Sequence, residues 1–347
     1  MKIMKKVLSV VVMFALIVSL MPANSIVKAS QDEINEEQVL LDYGVSEKII
    51  ESLSELEKQE FAEELLMENP DFVDVQSSVL EIDNLAEIEE FMSQSDEDWI
   101  EVGADPEAVA TTREDLNELY DMTDEELSKE KDISMTEARF LRKAVEKGKE
   151  NRKKQNVPRK EMKNPVTASG SISSSKLTYT QSVSGSSTGA PSYKVNLSYN
   201  WNSEYVISIF SDKIIAEWGG SLTTKGFSTA AHYYTGGIGK KLGKWFAQKS
   251  MSRTESPNRN IQFTFPQSVK TPSIHMADAK TDNGKASFTL YQTKRAGKDT
   301  KFVSRFGHRI ISVKSAGISF SSGGVSGGLS FGGAWDQTPQ KVTTIKY

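Results

Sequence analysis

The carboxylates of the C-terminal half are the first residues that could do chemistry, and residues 161–347 contain nine of them. A glycosidase needs two carboxyl groups, one on each side of the bond that it cleaves. Glu217 is the weak catalytic candidate, because it lies beside Trp218 in a predicted strand. A glutamate at the outward position of a strand fits the same pattern. Whether the chain is an enzyme therefore stays open, and the sequence favours a non-enzyme.

The sequence gives less support to a metal site or to nucleophilic catalysis than to a pair of carboxyl groups. The histidines His232, His275 and His308 match no zinc-binding spacing, and the chain contains no cysteine for a thiolate site. The acidic runs Asp96–Asp98 and Asp124–Glu126 lack the alternating ligands and central glycine of an EF-hand loop, so we interpret them as helix starts. No Gly-x-Ser-x-Gly elbow occurs. The sequence predicts no metal and no cofactor.

The segment Tyr233–Lys249 carries a possible binding function. Ile238, Leu242 and Trp245 recur at helical spacing, and a basic helix with an aromatic apolar face is typical of interfacial membrane binders. Its Gly-Ile-Gly-Lys opening resembles cationic antimicrobial helices. A helix that docks on a sheet and points its lysines to solvent fits the same pattern. We expect an anionic cell wall polymer or lipid surface to contact Lys240, Lys241, Lys244, Trp245 and Lys249.

A second segment, Ile318–Phe331, reads as an amphipathic hairpin. Its two short apolar runs are separated by serines and glycines. This composition resembles that of aerolysin-like β-pore formers, and the resemblance implies a pore-forming hairpin. Glycines that allow close packing in an ordinary sandwich are the alternative.

The charges divide the chain into two unlike halves. Residues 31–160 hold 38 acidic and 15 basic residues, a net charge of −23, whereas residues 161–347 hold 9 and 23, a net charge of +14. Such an asymmetry suggests that the acidic half is a partner of the basic half within one chain. No nucleic-acid-binding signature occurs, so nucleic acid is not expected as a partner.

The acidic half is expected to form short helices whose N-cap residues can be identified from the sequence. Serine, threonine or asparagine precedes glutamate by three residues at Ser54, Asn84, Thr123 and Ser134, which is the capping-box spacing. Asp105-Pro106 places an aspartate cap before a proline at the first helical position.

The basic half is expected to form strands, because apolar and polar residues alternate along it. The predicted strands include Leu177–Thr180, Lys194–Trp201, Tyr205–Phe210, Ile214–Trp218 and Ile261–Phe265. Asp282-Asn283-Gly284 has the composition of a hairpin turn. The expected fold class is α+β and multidomain: a short-helix region followed by an all-β antiparallel sandwich or barrel-like domain.

The first residues have the three zones of a signal peptide. Lys2, Lys5 and Lys6 precede the apolar run Val7–Met21, which is shorter than the ~20 residues of a membrane span. In Val27-Lys28-Ala29 the first and last residues are small, as signal peptidase requires, and they place the expected cleavage between Ala29 and Ser30. We therefore expect secretion from a Gram-positive type of bacterium, with a freely released or loosely wall-held product.

The expected domains are a signal peptide (1–29), an acidic helical domain or propeptide (30–150), an exposed basic linker (151–165) and a β-rich domain (166–347). Proteolytic processing near the linker would separate the two halves. The candidate sites are Arg152, Lys153, Lys154, Arg159 and Lys160.

The texture of Tyr199-Asn200-Trp201 and Ala216–Gly220 resembles that of secreted proteins of bacilli, a resemblance that implies no activity. Three functions stay open. We expect a non-enzymatic module that binds the cell envelope or another anionic surface. The alternatives are a secreted pore-forming toxin or bacteriocin-like precursor kept inactive by its acidic propeptide, and a hydrolase of cell wall or polysaccharide.

Overall fold

A computed structural model shows two antiparallel β-sheets packed face to face, with helices against them. It describes residues 35–53, 55–131, 133–154, 174–186, 188–202, 207–235, 245–256, 259–270, 279–294, 297–310, 318–319, 329–331 and 335–347. The expectation of helices followed by an antiparallel sandwich is thereby confirmed in its coarse form. The expected signal peptide, with Ala29 and Ser30, lies outside the described residues.

Eight helices are present in the described part of the chain, and all of them precede residue 155. They are α1 (Glu36–Asp42), α2 (Glu47–Ile50), α3 (Glu55–Glu68), α4 (Asn84–Ser93), α5 (Asp96–Glu101), α6 (Pro106–Asp121), α7 (Asp124–Lys131) and α8 (Met135–Lys153). Because α8 continues to Lys153, the proposed linker starts later than residue 151. Of the candidate processing sites, Arg152, Lys153 and Lys154 are exposed at the C-terminal end of α8. Arg159 and Lys160 lie outside the described residues.

Several predicted caps are confirmed, and one is shifted. Ser134 and Thr123 form capping boxes with the glutamates three residues on, and Asp105 caps α6. At α4 the cap is Asp83, whose carboxylate accepts from two backbone amides, so the prediction of Asn84 is wrong. Asn84 is buried beside the next strand and donates instead to Ser175 Oγ at 2.7 Å.

The two acidic runs serve the helices, as the sequence suggested. Asp98 completes a capping box with Ser95, and Asp124 pairs with Arg139 and Arg142. Within the ranges that the structure describes, no group of three or more histidine, aspartate or glutamate side chains is placed to hold a metal ion.

Sheet 1 has the strand order β1-β2-β3-β10-β5-β6, with β9 also paired to β10. Its strands are β1 (Phe72–Asp83), β2 (Ser174–Ser186), β3 (Ser192–Trp201), β5 (Thr223–Tyr234), β6 (Trp245–Lys249), β9 (Ser268–Val269) and β10 (Ala279–Tyr291).

Sheet 2 has the order β14-β11-β4-β8-β7, with β15 also paired to β11. Its strands are β4 (Ser211–Trp218), β7 (Ser252–Ser256), β8 (Asn260–Pro266), β11 (Asp299–Arg309), β14 (Trp335–Gln337) and β15 (Lys341–Lys346). A separate pair joins β12 (Ile318–Ser319) to β13 (Ser330–Phe331).

The main core lies between the two sheets and is rich in aromatic rings. Alternate residues of each strand point inward, which is the period-2 pattern of the sequence. Tyr199 stacks on Phe265 with ring centroids 4.7 Å apart, and Phe288 packs against Trp218 and Phe302. Contacts between aromatic rings stabilise the fold beyond what burial of their apolar surface contributes.

Strand β1 belongs to the acidic half, yet it is an edge strand of sheet 1. It pairs with β2 over twelve residues, from Phe72 opposite Gly185 to Asp83 opposite Ser174. On its other side it contacts β15, where the Gln76 amide donates to Val342 O at 2.7 Å and accepts from Val342 N at 3.2 Å. The acidic half is therefore not purely helical, and its strand closes one side of the sandwich.

The helices form two apolar clusters. The N-terminal cluster joins α1–α3 to Val75 of β1. The helical core unites α4–α8 with Ile207, Ile209 and Phe210, which precede β4. Residues 207–210 were predicted as part of a strand, but they form none and turn their apolar side chains toward the helices instead.

Asp282-Asn283-Gly284 is not a hairpin turn, contrary to its composition. The three residues lie inside β10, where a register shift between Thr281 and Asn283 absorbs the irregularity. A Cβ on Gly284 would lie 2.6 Å from Ala230 O and 2.6 Å from the Tyr199 ring. Glycine is thus needed for close packing at this position, and not for a turn.

The predicted hairpin over Ile318–Phe331 pairs Ile318 with Phe331, and residues 320–328 lie outside the described part. Leu329 and Phe331 pack with Ile215 and Val303 on the outer face of sheet 2. Phe331 lies so close to Gly307 that a Cβ there would be 2.5 Å from its ring. None of the helices in the described ranges has the length and apolar character to cross a membrane.

Limited trypsin digestion is expected to cut first near Arg152–Lys154 without releasing the acidic half. The β1–β2 ladder and the helical core would hold the fragments together. They should coelute on size exclusion in buffer and separate in concentrated urea. Separate elution in buffer would contradict this expectation.

Substitution of Gly284 by alanine is expected to lower the free energy of unfolding by roughly 1–3 kcal/mol, because the new methyl overlaps a backbone oxygen that moves only with β5. Urea denaturation measures this loss. T289A, on the outer face of the same strand, serves as the control and should cost less than about 1 kcal/mol. An equal loss in both variants would rule out the steric explanation.

Candidate functional site

A basic cleft of about 610 Å³ lies between the start of α6 and one end of the sandwich. We call it the basic cleft. Its basic lining residues are Lys213, Lys249, Lys270 and Arg309, its acidic ones Asp105 and Glu107, and its aromatic ones Phe210 and Trp335. Asp105 is engaged as the cap of α6, and Glu107 forms an ion pair with Lys270.

The pairing of strands in sheet 2 brings the central cations together. Lys213 lies opposite Gly307 across the β4–β11 pair, and Arg309 lies opposite Trp335 across β11–β14. Since alternate residues share one face of a strand, Lys213, Arg309 and Trp335 all lie on the outer face of sheet 2. Lys249 ends β6 and reaches the same cleft from sheet 1.

Lys213 and Arg309 are partly buried cations. Burial lowers the pKa of Lys213, and the positive charge of Arg309 lowers it further. Burial also lowers the pKa of Arg309. Neither side chain forms an ion pair with another residue that the structure describes. An anion that entered the cleft would therefore gain from both charges, in surroundings that screen them less than bulk water.

Aromatic and backbone contacts fix the direction of these cations. The Arg309 guanidinium lies over the Phe210 ring, 4.2 Å from its centroid, and its Nη2 donates to Val102 O at 2.5 Å. The Lys213 ammonium lies 5.7 Å from the centroid of Trp335. Such cation–π contacts hold the charges in place without neutralising them.

A buried ion pair lies directly beneath the basic cleft. His308 Nδ1 lies 3.0 Å from the Asp212 carboxylate, and both side chains are fully buried. Gln267 donates to Asp212 Oδ1 at 2.6 Å and to Arg309 O at 3.0 Å. Burial alone would lower the pKa of His308, but the adjacent Asp212 carboxylate raises it to about 9. The His308 imidazole is therefore protonated at neutral pH.

A carboxyl group from the helices faces this cluster. Glu87 of α4 is buried, which raises its pKa to about 8, while the positive charge of His308 opposes the rise. Burial also raises the pKa of Asp336 in β14. Near neutral pH the protein thus keeps Glu87 protonated beside a protonated His308.

The predicted contact residues fall only partly within the described ranges. Lys240, Lys241 and Lys244 lie outside them, so their part in a binding surface stays a prediction. Trp245–Lys249 forms the strand β6 and pairs with β5, so the predicted helix is wrong for these residues. Lys249 lies in the basic cleft.

Glu217 and His232 do not line the cleft. Glu217 is buried on β4, four residues beyond Lys213. His232 lies 2.6 Å from Asn283 in sheet 1, and His275 lies outside the described residues.

Of the basic residues that line the cleft, the sequence predicted Lys249 but not Lys213, Lys270 or Arg309. Asp212-Lys213 and His308-Arg309 each place an ionisable residue inward and a basic one outward on a strand. The repetition of this pattern on two strands could have indicated a pair of basic residues on the outer face of one sheet. That β4 and β11 are neighbours depends on the sheet order, which the sequence does not state.

Comparisons with known proteins give partial structural similarity. No family model matches the chain, and no curated protein matches it. It is similar to a collagen-binding domain from a Staphylococcus aureus adhesin, with 9% identity, a TM-score of 0.24 and coverage of 45% of this chain and 88% of that one. It is also similar to the C-terminal domain of the Streptococcus pyogenes antigen I/II-family protein AspA, with 8% identity, a TM-score of 0.27 and coverage of 49% and 54%.

A third similar structure is the KRT10-binding region domain of the pneumococcal serine-rich repeat protein PsrP, with 12% identity, a TM-score of 0.21 and coverage of 45% and 87%. Similarity at this level assigns no function, so the function proposed below rests on the geometry of the basic cleft.

The Glu87 carboxyl is expected to make stability depend on pH. Its pKa is about 8 when folded and near the ordinary 4.5 when unfolded, so its contribution is complete below about pH 4.5 and is lost as the pH rises through about 8. The glutamine of E87Q cannot ionise. Between low pH and pH 9, the free energy of unfolding of E87Q should therefore fall by roughly 2–4 kcal/mol less than that of the wild type.

Urea denaturation at pH 5, 7 and 9 measures this difference. E101Q, which neutralises an exposed glutamate of α5, is the control and should keep the wild-type pH dependence. Parallel pH profiles for E87Q and the wild type would show that Glu87 does not titrate in this range.

Proposed function

We propose that the protein is an exported, non-enzymatic binding module whose basic cleft holds a negatively charged polymer of the bacterial cell envelope. The observation that carries the proposal is the pair of partly buried cations, Lys213 and Arg309, held in a cleft with no ion-pair partner among the described residues. Export is supported by the signal-like zones of residues 1–29.

The charges around the cleft favour an anion. Lys249 adds positive charge at the rim, where the charge of Lys270 is balanced by its ion pair with Glu107. A ligand carboxylate or phosphate could replace water at Lys213 and Arg309. Because both cations are already partly desolvated, the interaction is stronger than at a fully exposed lysine.

The shape of the cleft favours a polymer over a lipid surface. It is concave, about 610 Å³ in volume, and bounded by α6 on one side and sheet 2 on the other. A chain of repeating anionic units can thread such a cleft. A membrane-binding protein instead presents a projecting apolar face to the lipid.

The buried His308–Asp212 pair supports binding by positioning. It holds β4 and β11 in register, and each partner precedes one of the cleft cations in the sequence. The cations therefore project from a rigid part of the sheet, as a site for repeated binding requires.

Sedimentation with purified anionic cell walls tests the proposal. K213Q/K249Q is expected to weaken binding about tenfold, which corresponds to about 1.4 kcal/mol. Added salt should weaken the binding of the wild type, because the interaction is between charges. K301Q/K346Q removes the same charge from exposed lysines at the other end of sheet 2, and it should bind as the wild type does.

Other outcomes would overturn the proposal. Equal sedimentation of K213Q/K249Q and the wild type would exclude the basic cleft as the site. Binding to anionic vesicles but not to walls would favour a lipid surface, and release of a trapped dye from them would favour the pore-forming alternative.

A further inference from the structure

The outer face of sheet 1 is polar on β2, β3 and β10, although α3 covers part of it. A sheet face under a helix is ordinarily apolar, because burial of apolar surface is what holds the two layers together. Here the outward residues are Thr178, Thr180, Ser182 and Ser184 on β2, Asn196 and Ser198 on β3, and Lys285 and Ser287 on β10. All of them except Ser198 and Lys285 are buried.

Helix α3 contacts this face through three carboxylates. Glu57 accepts a hydrogen bond from Ser198 Oγ at 2.8 Å, and Glu64 accepts from Asn196 Nδ2 at 3.2 Å and from Ser184 Oγ at 3.3 Å. Glu60 pairs with Lys285 Nζ at 2.9 Å. The three glutamates follow the i, i+3, i+7 spacing, so they share one side of the helix.

Apolar packing of α3 is directed elsewhere. Phe61 and Leu65 belong to the N-terminal cluster, whose sheet members are Val73 and Val75 of the edge strand β1. No member of that cluster in the described ranges comes from β2, β3 or β10. Apolar and charged residues are also poorly segregated around α3. Over β3 and β10, α3 contacts the sheet through hydrogen bonds and an ion pair between its glutamates and polar or basic side chains of the strands.

We propose that this outer face is a recognition surface for carboxylate-rich helical peptides and that α3 is its occupant within the chain. The donors are hydroxyl, amide and ammonium groups on three adjacent strands, and each of them donates to one carboxylate of α3. A partner with carboxylates at the same spacing would make the same bonds. The surface shares no residue with the basic cleft, so it is independent of the function proposed above.

Charge complementarity favours an acidic helix as the occupant of this face. The acidic half carries a net charge of −23 and the basic half +14, and α3 is where the two meet over sheet 1. A competing acidic helix would replace the hydrogen bonds that α3 makes to β3 and β10, and Phe61 and Leu65 of α3 would have to leave the N-terminal cluster. A partner protein with such a helix would open the cover formed by α3.

A labelled peptide with the sequence of residues 55–68 tests the proposal on the full chain. The variant E57K/E60K/E64K weakens the contact of α3 with the sheet. In fluorescence polarisation it should bind the peptide at least about tenfold more tightly than the wild type does. E51K/E63K/E68K has the same charge change at exposed positions and should behave like the wild type. A peptide with glutamine at positions 57, 60 and 64 should bind about tenfold more weakly.

Two results would overturn the proposal. Failure of E57K/E60K/E64K to bind the peptide more tightly than the wild type would show that the face is not a recognition surface. Equal binding of the glutamate and glutamine peptides would show that the carboxylates do not direct it.

A milder variant covers the case in which the charge-reversed chain does not fold. In E57Q/E60Q/E64Q the amides of α3 should exchange hydrogen about tenfold or more faster than in the wild type, while those of α8 stay unchanged. Unchanged exchange in α3 would show that the carboxylates do not hold the helix, and it would overturn the proposal as well.

Discussion

The buried contact between His308 and Asp212 is the interaction on which most of the molecule depends. It joins β11 to β4 inside the sandwich, and Gln267 links it to the backbone of Phe210 and Arg309. Loss of one partner from a buried pair leaves an uncompensated charge, which typically costs 3–5 kcal/mol. The same network directs Arg309 and Lys213 outward and anchors the segment that docks on the helices. One polar cluster therefore supports the core, the basic cleft and the interface between the halves.

The two halves differ in charge but share one fold. Strand β1 supplies an edge of sheet 1, α3 covers part of its outer face, and α4 brings Glu87 to the buried pair. The negative charge of the helices is thus distributed over sheet 1 and the helical core. The basic cleft at the end of sheet 2 stays open, and only the start of α6 borders it with acidic residues.

Local signals in the sequence predicted local structure well. The caps at Thr123, Ser134 and Asp105 and the strands around β2, β3 and β8 follow from side-chain chemistry within a few residues. Predictions failed where distant packing decided the outcome. Gly284 looked like a turn residue but makes room for Tyr199, and residues 207–210 looked like a strand but pack on helices. Lys213 and Arg309 were not predicted because they meet through the order of strands in sheet 2, which no short segment encodes.

The pairing of β1 with β2 and its side-chain contacts with β15 also determine when the protein can fold. Gln76 and Val342 meet across 266 positions of the chain, so the sandwich cannot close on this side until nearly all of the chain is available. A topology with such distant contacts folds slowly, because the entropy of closing a long loop is lost before the contacts form. A chain that is threaded through a narrow export channel from its first residue onward would meet little resistance from premature folding, and its native structure would assemble only after the last strand had emerged.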